Sequence, residues 1–275
     1  MVTPGDDPWA RYEFGETLEQ HQRISRTAAK SLPSGMAVWI DKLAPYYGDH
    51  PEGLKAATEY LSRQTRVTHP VLPCLIDAWE QEGALCWVYR VQQGTPLGEY
   101  VAGHLPSVPA LKPLIVDLSE GLAALHGAGL FHGNLQAGGV LISGKRRLVL
   151  TRRGIRSHLN RILNQSPLEE AINTTLEGGP SDDIALWGEM LGVFLTGESH
   201  FGRIIVSSHA VGVFDLKLAE ETFHRKGIGG RLPEVVLRAC KAKESPGESY
   251  MTMAEALEAF LDGCAHDSGV SGGHS

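Results

Sequence analysis

A leucine repeat at helical spacing, followed closely by two short apolar runs, is the feature that most constrains this chain. The apolar stripe begins at Leu114 and ends at Leu125, with leucines three or four positions apart on one helix face. Gly127 then supplies a C-terminal stop. The runs Val140–Ile142 and Leu148–Leu150 flank a polar turn, so they predict a β-hairpin.

The two halves of the sequence differ in their periodicity. Before Gly94 the chain is β-rich, because Ala37–Ile40 and Ala84–Val91 predict strands and Gly53–Arg63 predicts a single helix. After Gly94 three more helices are predicted, at Ile184–Leu195, Pro233–Lys241 and Met253–Leu261. A small β-rich half followed by a larger helical half indicates an α+β protein.

Charge and composition exclude several classes of protein. The 275-residue chain has a net charge of −7, whereas nucleic-acid-binding proteins are usually basic, so we expect no nucleic-acid partner. No stretch approaches the ~20 apolar residues that span a bilayer, and residues 1–11 lack the apolar core of a secretory signal. The four cysteines form no CxxC pair, which argues against a zinc site. We therefore expect a cytoplasmic protein with buried or incidental thiols.

The loop between the leucine helix and the hairpin carries the first resemblance to a known family. It reads His132-Gly133-Asn134-Leu135 and continues to Gly139, directly before the apolar run. This segment resembles the catalytic loop of protein kinases, H-R-D-L-x-x-x-N. By that resemblance, Asn134 takes the position of the catalytic aspartate and Gly139 that of the metal-binding asparagine.

Upstream segments resemble the first lobe of the same family, in the same order along the chain. Met36-Ala37-Val38-Trp39 resembles the V-A-I-K strand, with Trp39 in the place of the lysine. Glu59 matches the helix glutamate that pairs with that lysine in the family. Tyr89 takes the gatekeeper position, and Arg90–Gln93 resemble the hinge.

Downstream segments continue the resemblance. Thr151-Arg152-Arg153-Gly154 resembles the end of a strand followed by D-F-G, with Arg152 at the aspartate and Gly154 at the glycine. Asp183 matches the aspartate that braces the catalytic loop from the start of a buried helix. We expect its carboxylate to be buried and to accept backbone N–H bonds near His132 and Gly133.

The resemblance covers roughly residues 11–261 and is closest to the bacterial Ser/Thr kinases. It implies a protein-kinase-like bilobal α+β fold. Residues 1–93 would form a small lobe with an antiparallel sheet and one helix, and residues 94–265 a larger, mainly helical lobe. Residues 266–275 are rich in Gly and Ser, so we expect a flexible tail there.

The substitutions remove the groups that phosphoryl transfer needs, namely a glycine-rich loop, a cation, metal ligands and a base. The loop position at residues 16–24 contains no glycine, and Trp39 carries no charge. Arg152 reverses the charge of a metal ligand, and Asn134 is a neutral amide. Lys42 lies three residues from Trp39, which places it on the opposite face of a strand. We therefore predict a catalytically inactive pseudokinase without cofactor or metal.

A pseudokinase of this kind is expected to bind a protein, for example an active kinase or its substrate, as a regulatory or scaffolding domain. The segment Gly154–Glu177 would offer one docking region. Its hydroxyl groups are either ordinary loop polarity or phosphorylation sites: Ser157, Ser166, Thr174 and Thr175.

Two alternatives remain open on the sequence. The first is an atypical active kinase or phosphotransferase, in which another basic residue reaches the phosphates: Lys30, Lys42 or His21. The second is a nucleotide or anion sensor without turnover, in which Arg152 and Arg153, with Lys145 nearby, bind an anion. A salt bridge between Arg152 and Glu59 is the simpler interpretation of Arg152.

Overall fold

The structure is a computed structural model that describes residues 7–20, 24–43, 51–81, 84–103, 105–133, 135–151, 155, 159, 179–204, 213–242 and 245–270. The chain divides into two compact units. The first unit comprises Met1–Gln92 with Thr151–Glu177, and the second comprises Gln93–Leu150 with Gly178–Ser275. The boundary after Gln92 lies one residue before the predicted one. The segment 151–177, which the sequence assigned to the second lobe, is grouped with the first unit.

The first unit contains a five-stranded antiparallel sheet. Its strands are β1 (Tyr12–Gln20), β2 (Ile24–Ser31), β3 (Ala37–Leu43), β4 (Leu75–Gln81) and β5 (Ala84–Arg90). They lie in the order β1-β2-β3-β5-β4. The predictions of a strand at each of the two apolar runs are confirmed by β3 and β5. Strand β1 was not predicted individually, because its residues are mostly polar and exposed.

The two faces of this sheet have different chemistry. Val38 and Ile40 of β3 point to one face, where they join Tyr12 and Trp79 in a buried apolar cluster covered by Trp9. Because side chains alternate along a strand, the residues between and beyond them point to the other face. That second face carries the polar residues of the candidate site.

Helix α1 (Pro51–Arg66) follows β3 and packs against β4. Its buried side chains recur three or four positions apart, as on the inner face of an amphipathic helix: Ala57, Tyr60, Leu61 and Gln64. The amide Nε2 of Gln64 donates a hydrogen bond to the hydroxyl of Tyr60 at 2.9 Å. The polar atoms on this face of the helix thus satisfy one another.

The second unit is mainly helical. Its helices are α2 (Leu97–Gly103), α3 (Val108–Gly127), α4 (Pro180–Thr196), α5 (Leu216–Lys226), α6 (Arg231–Cys240) and α7 (Met253–Val270). Helices α3 and α6 each pack against both α4 and α7. The leucine stripe of α3 is fully buried, and the indole Nε1 of Trp187 on α4 donates to Ser119 Oγ on α3 at 3.0 Å.

Short strands complete the second unit: β6 (Thr95–Pro96), β7 (Val140–Ile142), β8 (Leu148–Leu150), β9 (Arg203–Ile204) and β10 (Val213–Phe214). Strands β7 and β8 form the predicted hairpin, with β6 beside β7. The hairpin is tied to α3, because Arg147 Nε donates to the buried Asp117 Oδ2 at 2.7 Å. The backbone N–H of Leu148 donates to the same oxygen at 3.2 Å.

Three helical features differ from the sequence prediction. Helices α2 and α5 were not predicted, although Asp215 caps α5 by accepting from the N–H of Leu218 at 3.0 Å. Helix α7 continues to Val270, so residues 266–270 of the predicted tail are helical, and residues 271–275 lie outside the described part of the chain.

None of the helices among the described residues is long and apolar enough to cross a membrane.

Candidate functional site

Trp39 lies near the start of β3, where the sequence resemblance places the strand lysine. In the register of the sheet it stands between Ala28 on β2 and Tyr89 on β5. Opposite residues of antiparallel strands lie on the same face, so these three side chains share the second face of the sheet. Trp39 is half-buried and Tyr89 is buried. The position that the resemblance assigns to the lysine therefore holds a neutral aromatic ring.

A buried ion pair lies directly beside this ring. Arg26 on β2 and Asp41 on β3 are 7% and 4% exposed. The guanidinium donates two hydrogen bonds to the carboxylate, Nε to Oδ1 at 2.6 Å and Nη2 to Oδ2 at 2.8 Å. The carbon at the centre of the guanidinium lies 5.0 Å from the centroid of the Trp39 ring, within cation–π distance. The cation next to Trp39 thus comes from β2, and it is already paired.

The neighbours of Arg26 explain why it stays charged. Glu19 and Asp41 stand on either side of it in the register of the sheet, and Glu19 Oε1 lies 3.9 Å from Nη1. Burial disfavours the charged form of Arg26, but its hydrogen bond to Asp41 and the charge of Asp41 outweigh burial. The pKa of Arg26 is therefore raised above its ordinary value. Trp87 continues the same row on β5 and is fully buried.

The two described lysines of the alternative enzyme hypothesis lie on different faces. Lys42 Nζ lies 5.4 Å from the centroid of the Trp9 ring, on the face opposite Trp39. The prediction that Lys42 points away from the lysine position is confirmed. Lys30 stands opposite Ala37 in the register, so it shares the face of Trp39 and is exposed.

In the second unit, the loop after α3 is held by one carboxylate. Asp183, at the start of α4, is 0% exposed. Its Oδ2 accepts from the backbone N–H of His132 and its Oδ1 from that of Gly133, each at 2.7 Å. His126 Nε2 lies 2.9 Å from Oδ2. The prediction that Asp183 is buried and braces the loop through backbone N–H groups is confirmed.

Solved kinase domains share this architecture. The crystal structure of the PknI kinase domain of Mycobacterium tuberculosis aligns over 95% of this chain and 99% of that domain, with a TM-score of 0.61 and 16% identity. A double mutant of the same domain aligns over 96% and 100%, with a TM-score of 0.65 and 17% identity. The chain has a protein-kinase-like fold.

A sequence comparison points in the same direction over a shorter range. The chain is 35% identical over 82 residues to the serine/threonine-protein kinase pkn2 of Myxococcus xanthus. That match covers 30% of this chain and 10% of pkn2, so the chain spans only about a tenth of the length of that relative. No protein-family model matches the sequence.

The match of Glu59 to the helix glutamate of the family's ion pair stays a prediction. Glu59 is exposed on α1, and the described residues include no ion-pair partner for it. The buried face of α1 is turned by about one residue from that position and carries Tyr60 instead. The simpler interpretation of Glu59 as a solvated helix residue agrees with the structure.

The residues predicted for the gatekeeper and hinge lie where β5 ends. Tyr89 is buried, and Arg90 is the exposed last residue of the strand. The backbone N–H of Arg90 donates to Cys74 O at 3.0 Å, and that of Val91 donates to Ala37 O at 3.3 Å. These bonds fix the exit of the chain from the sheet, at the boundary between the two units.

The remaining predicted positions fall in two groups. Gly139 ends a short 3₁₀ turn after the loop, where its N–H donates to Gln136 O at 2.8 Å, and it carries no oxygen-bearing side chain. Other predicted positions lie outside the described residues: His21, Asn134, Arg152, Arg153, Gly154, Ser157, Ser166, Thr174 and Thr175. The predicted Arg152–Glu59 salt bridge therefore stays a prediction.

The glycine-poor loop position belongs largely to strand. Residues 16–20 form the end of β1, and Ile24 begins β2. Gly15 lies against β2, where an added Cβ would stand 3.2 Å from the carbonyl oxygen of Ala28. The single glycine of this region thus serves the close approach of two paired strands.

Sequence reasoning did not identify Arg26 and Asp41. Each is a charged residue inside a strand, 15 positions apart in the sequence. The available signal was a lone aspartate in the apolar β3 sequence, since carboxylates are rarely buried without a partner. Finding its partner required the register between β2 and β3.

Proposed function

We propose that this chain is a pseudokinase domain that acts by binding a protein and transfers no phosphoryl group. The observation that carries the proposal is the occupied guanidinium beside Trp39. The residue at the strand-lysine position is neutral, and two N–H groups of the adjacent cation are bound to Asp41. A nucleotide phosphate would have to displace a buried carboxylate to reach that cation.

The chemistry of phosphoryl transfer supports the same proposal. Its transition state needs a cation on the phosphates, oxygen ligands for Mg²⁺ and a base near the acceptor hydroxyl. Gly139 offers no side-chain oxygen, and the amide of Asn134 has no useful basicity. With several contributions missing at once, we expect a rate indistinguishable from the uncatalysed one.

The contacts that hold the fold together, in contrast to the chemical groups, are present. Asp183 still holds the loop by two short hydrogen bonds, and α3 and α4 pack through buried apolar residues. A fold that retains its shape without this chemistry can still present surfaces to another protein. We propose an active kinase or its substrate as the partner, while the cytoplasmic location and the absence of a nucleic-acid partner stay predictions.

The first experiment measures nucleotide binding and transfer. The purified chain is incubated with radiolabelled ATP and either Mg²⁺ or Mn²⁺, and its melting temperature is followed in parallel. We expect no incorporated phosphate and no ligand-dependent rise in melting temperature. Phosphate incorporation that disappears in Asn134→Ala, with a rise of several degrees, would refute the proposal.

The second experiment separates binding from chemistry. A candidate kinase partner is mixed with the chain, and the complex is measured by size-exclusion chromatography and cross-linking. We expect Lys30→Ala, a surface change beside Trp39, to leave the complex intact. Asp183→Ala should weaken it, because the loop loses its brace. If the chain forms no detectable complex with any kinase or kinase substrate of its source organism, that result would count against a binding role.

One observation favours a second candidate, an atypical active kinase. Lys30 is exposed on the same sheet face as Trp39. Of the two candidate lysines, it is therefore the one that could replace the missing cation. This alternative predicts phosphate incorporation by the unsubstituted chain and its loss in Lys30→Ala. A matched Lys42→Ala variant should retain activity, because Lys42 lies on the opposite face.

A further inference from the structure

The Arg26–Asp41 pair has the geometry by which proteins bind phosphate. Two parallel N–H groups of one guanidinium meet two oxygens of one anion, at 2.6 and 2.8 Å. Carboxylates and phosphates both fit this planar fork. The bound anion here is a side chain of the same unit, and it reaches Arg26 from the neighbouring strand.

The surroundings of the guanidinium stabilise its positive charge and hold it in place. The Trp39 ring lies 5.0 Å from the guanidinium carbon, and Glu19 lies 3.9 Å from its outer nitrogen. Both partners of the pair are more than nine-tenths buried. Ion pairs with this burial are often no more stabilising than well-packed apolar residues, so stability alone does not account for a cation at this position.

We propose that Asp41 is the internal occupant of an oxyanion site whose donors are the N–H groups of Arg26, held against the Trp39 ring, and that it keeps phosphate-bearing ligands out. The carboxylate fixes β2 to β3 and satisfies the guanidinium, so an external phosphate finds no free donor pair. The inference deepens the proposed function, since it supplies the contact that prevents nucleotide binding in this unit. Removing the carboxylate should unmask a site for inorganic phosphate.

The test uses Asp41→Ala, which vacates a space of carboxylate size while Arg26 stays in place. Melting temperature and isothermal calorimetry are followed with inorganic phosphate, with formate, and with chloride at matched ionic strength. Phosphate should bind Asp41→Ala at least about 10-fold more tightly than it binds the unsubstituted chain, as expected for one charge-assisted pair. Formate matches the missing carboxylate and should bind as well, so the phosphate response is the one that separates an oxyanion site from a simple ion pair.

Three control variants assign the effect to the guanidinium. Arg26→Gln/Asp41→Ala should lose the phosphate response, because the cation is gone. Asp41→Asn keeps the volume filled, so its response should be smaller than that of Asp41→Ala. Glu19→Gln leaves the fork occupied and should behave like the unsubstituted chain. If Asp41→Ala is unfolded in chloride, phosphate should refold it, which gives the same readout.

Several outcomes would overturn the inference. One is a response of Asp41→Ala to formate alone. Another is a phosphate response that persists in Arg26→Gln/Asp41→Ala. The third is an unfolded Asp41→Ala that phosphate does not refold. A response to formate alone would mean that Arg26 and Asp41 form a structural ion pair and not a phosphate site. The proposed function has a separate test, because it fails if the unsubstituted chain binds Mg·ATP and transfers phosphate.

Discussion

Replacing Asp183 should lower the free energy of unfolding of the second unit, and the effect should begin at the loop that contains His132 and Gly133. The carboxylate is fully buried and accepts from the N–H groups of His132 and Gly133 at 2.7 Å each. In Asp183→Ala the buried N–H of His132 and the half-buried N–H of Gly133 lose their acceptor. In Asp183→Asn one acceptor oxygen survives, while the amide NH₂ faces a donor and cannot accept from it.

The magnitude follows from the cost of unsatisfied buried donors. Each orphaned N–H costs about 1–3 kcal/mol, so Asp183→Ala should lose about 4 kcal/mol and Asp183→Asn about 2 kcal/mol. At about 2–4 °C per kcal/mol for 150–250 residues, the melting temperature should fall by roughly 8–16 °C and 4–8 °C, respectively. Asp182→Asn is the matched control. Its half-buried carboxylate accepts from Gly179 N at 3.1 Å, and the amide oxygen of asparagine can still accept this bond, so the change should cost at most about 1 kcal/mol.

The assay combines urea unfolding with hydrogen exchange. Unfolding gives the free-energy differences, and exchange reports the amides of His132 and Gly133 directly. These two amides should lose protection in Asp183→Ala and keep it in Asp182→Asn. An Asp183→Ala variant within about 1 kcal/mol of the unsubstituted chain, with both amides still protected, would refute the assignment of Asp183 as the brace.

Two further predictions concern packing and thiol chemistry. An added Cβ at Gly192 in α4 would overlap the buried ring of Phe201, so Gly192→Ala should destabilise the chain by about 1–3 kcal/mol in urea unfolding. Gly98→Ala in α2 meets nothing within 4 Å and should stabilise it by about 0.5–1 kcal/mol; equal effects would contradict both assignments. Burial raises the pKa of Cys86 to about 12, whereas Cys74 is exposed. A disulfide reagent at pH 8 should therefore label Cys74 rapidly and Cys86 only after denaturation, and rapid labelling of both would show that the second is accessible.

Features set by local sequence were predictable. The leucine stripe of α3 and the apolar runs of β7 and β8 carry their own periodicity, so the helix and hairpin could be placed from the sequence. The role of Asp183 was predictable because an acidic residue at the start of a buried helix needs hydrogen-bond donors. The resemblance to protein kinases indicated that the loop at His132 and Gly133 would provide them. This contact confirmed the most specific structural expectation drawn from the resemblance.

Features set by register and rotation were not predictable. Arg26 and Asp41 meet only because β2 and β3 pair in one register, and a shift by one residue would place them on opposite faces. The exposure of Glu59 depends on how α1 is rotated on the sheet, which its sequence spacing leaves open by one position. Helix α2 is too short for its periodicity to stand out.

The kinase-like architecture and the charge pattern of the first unit together give one physical account. The fold keeps the brace at Asp183, while the cation beside the lysine position is neutralised inside the protein. Catalysis needs charge that is free to meet a phosphate, whereas binding a protein needs only a stable shape. The account therefore depends on Arg26 staying bound to Asp41 when nucleotide is abundant.

Diffraction from crystals of the unsubstituted chain grown with excess Mg²⁺ and ATP tests this claim most directly. The account predicts that Arg26 remains paired with Asp41 and that no triphosphate density appears beside Trp39. A triphosphate bound to a released Arg26 or to Lys30, with Mg²⁺ on its oxygens, would contradict it.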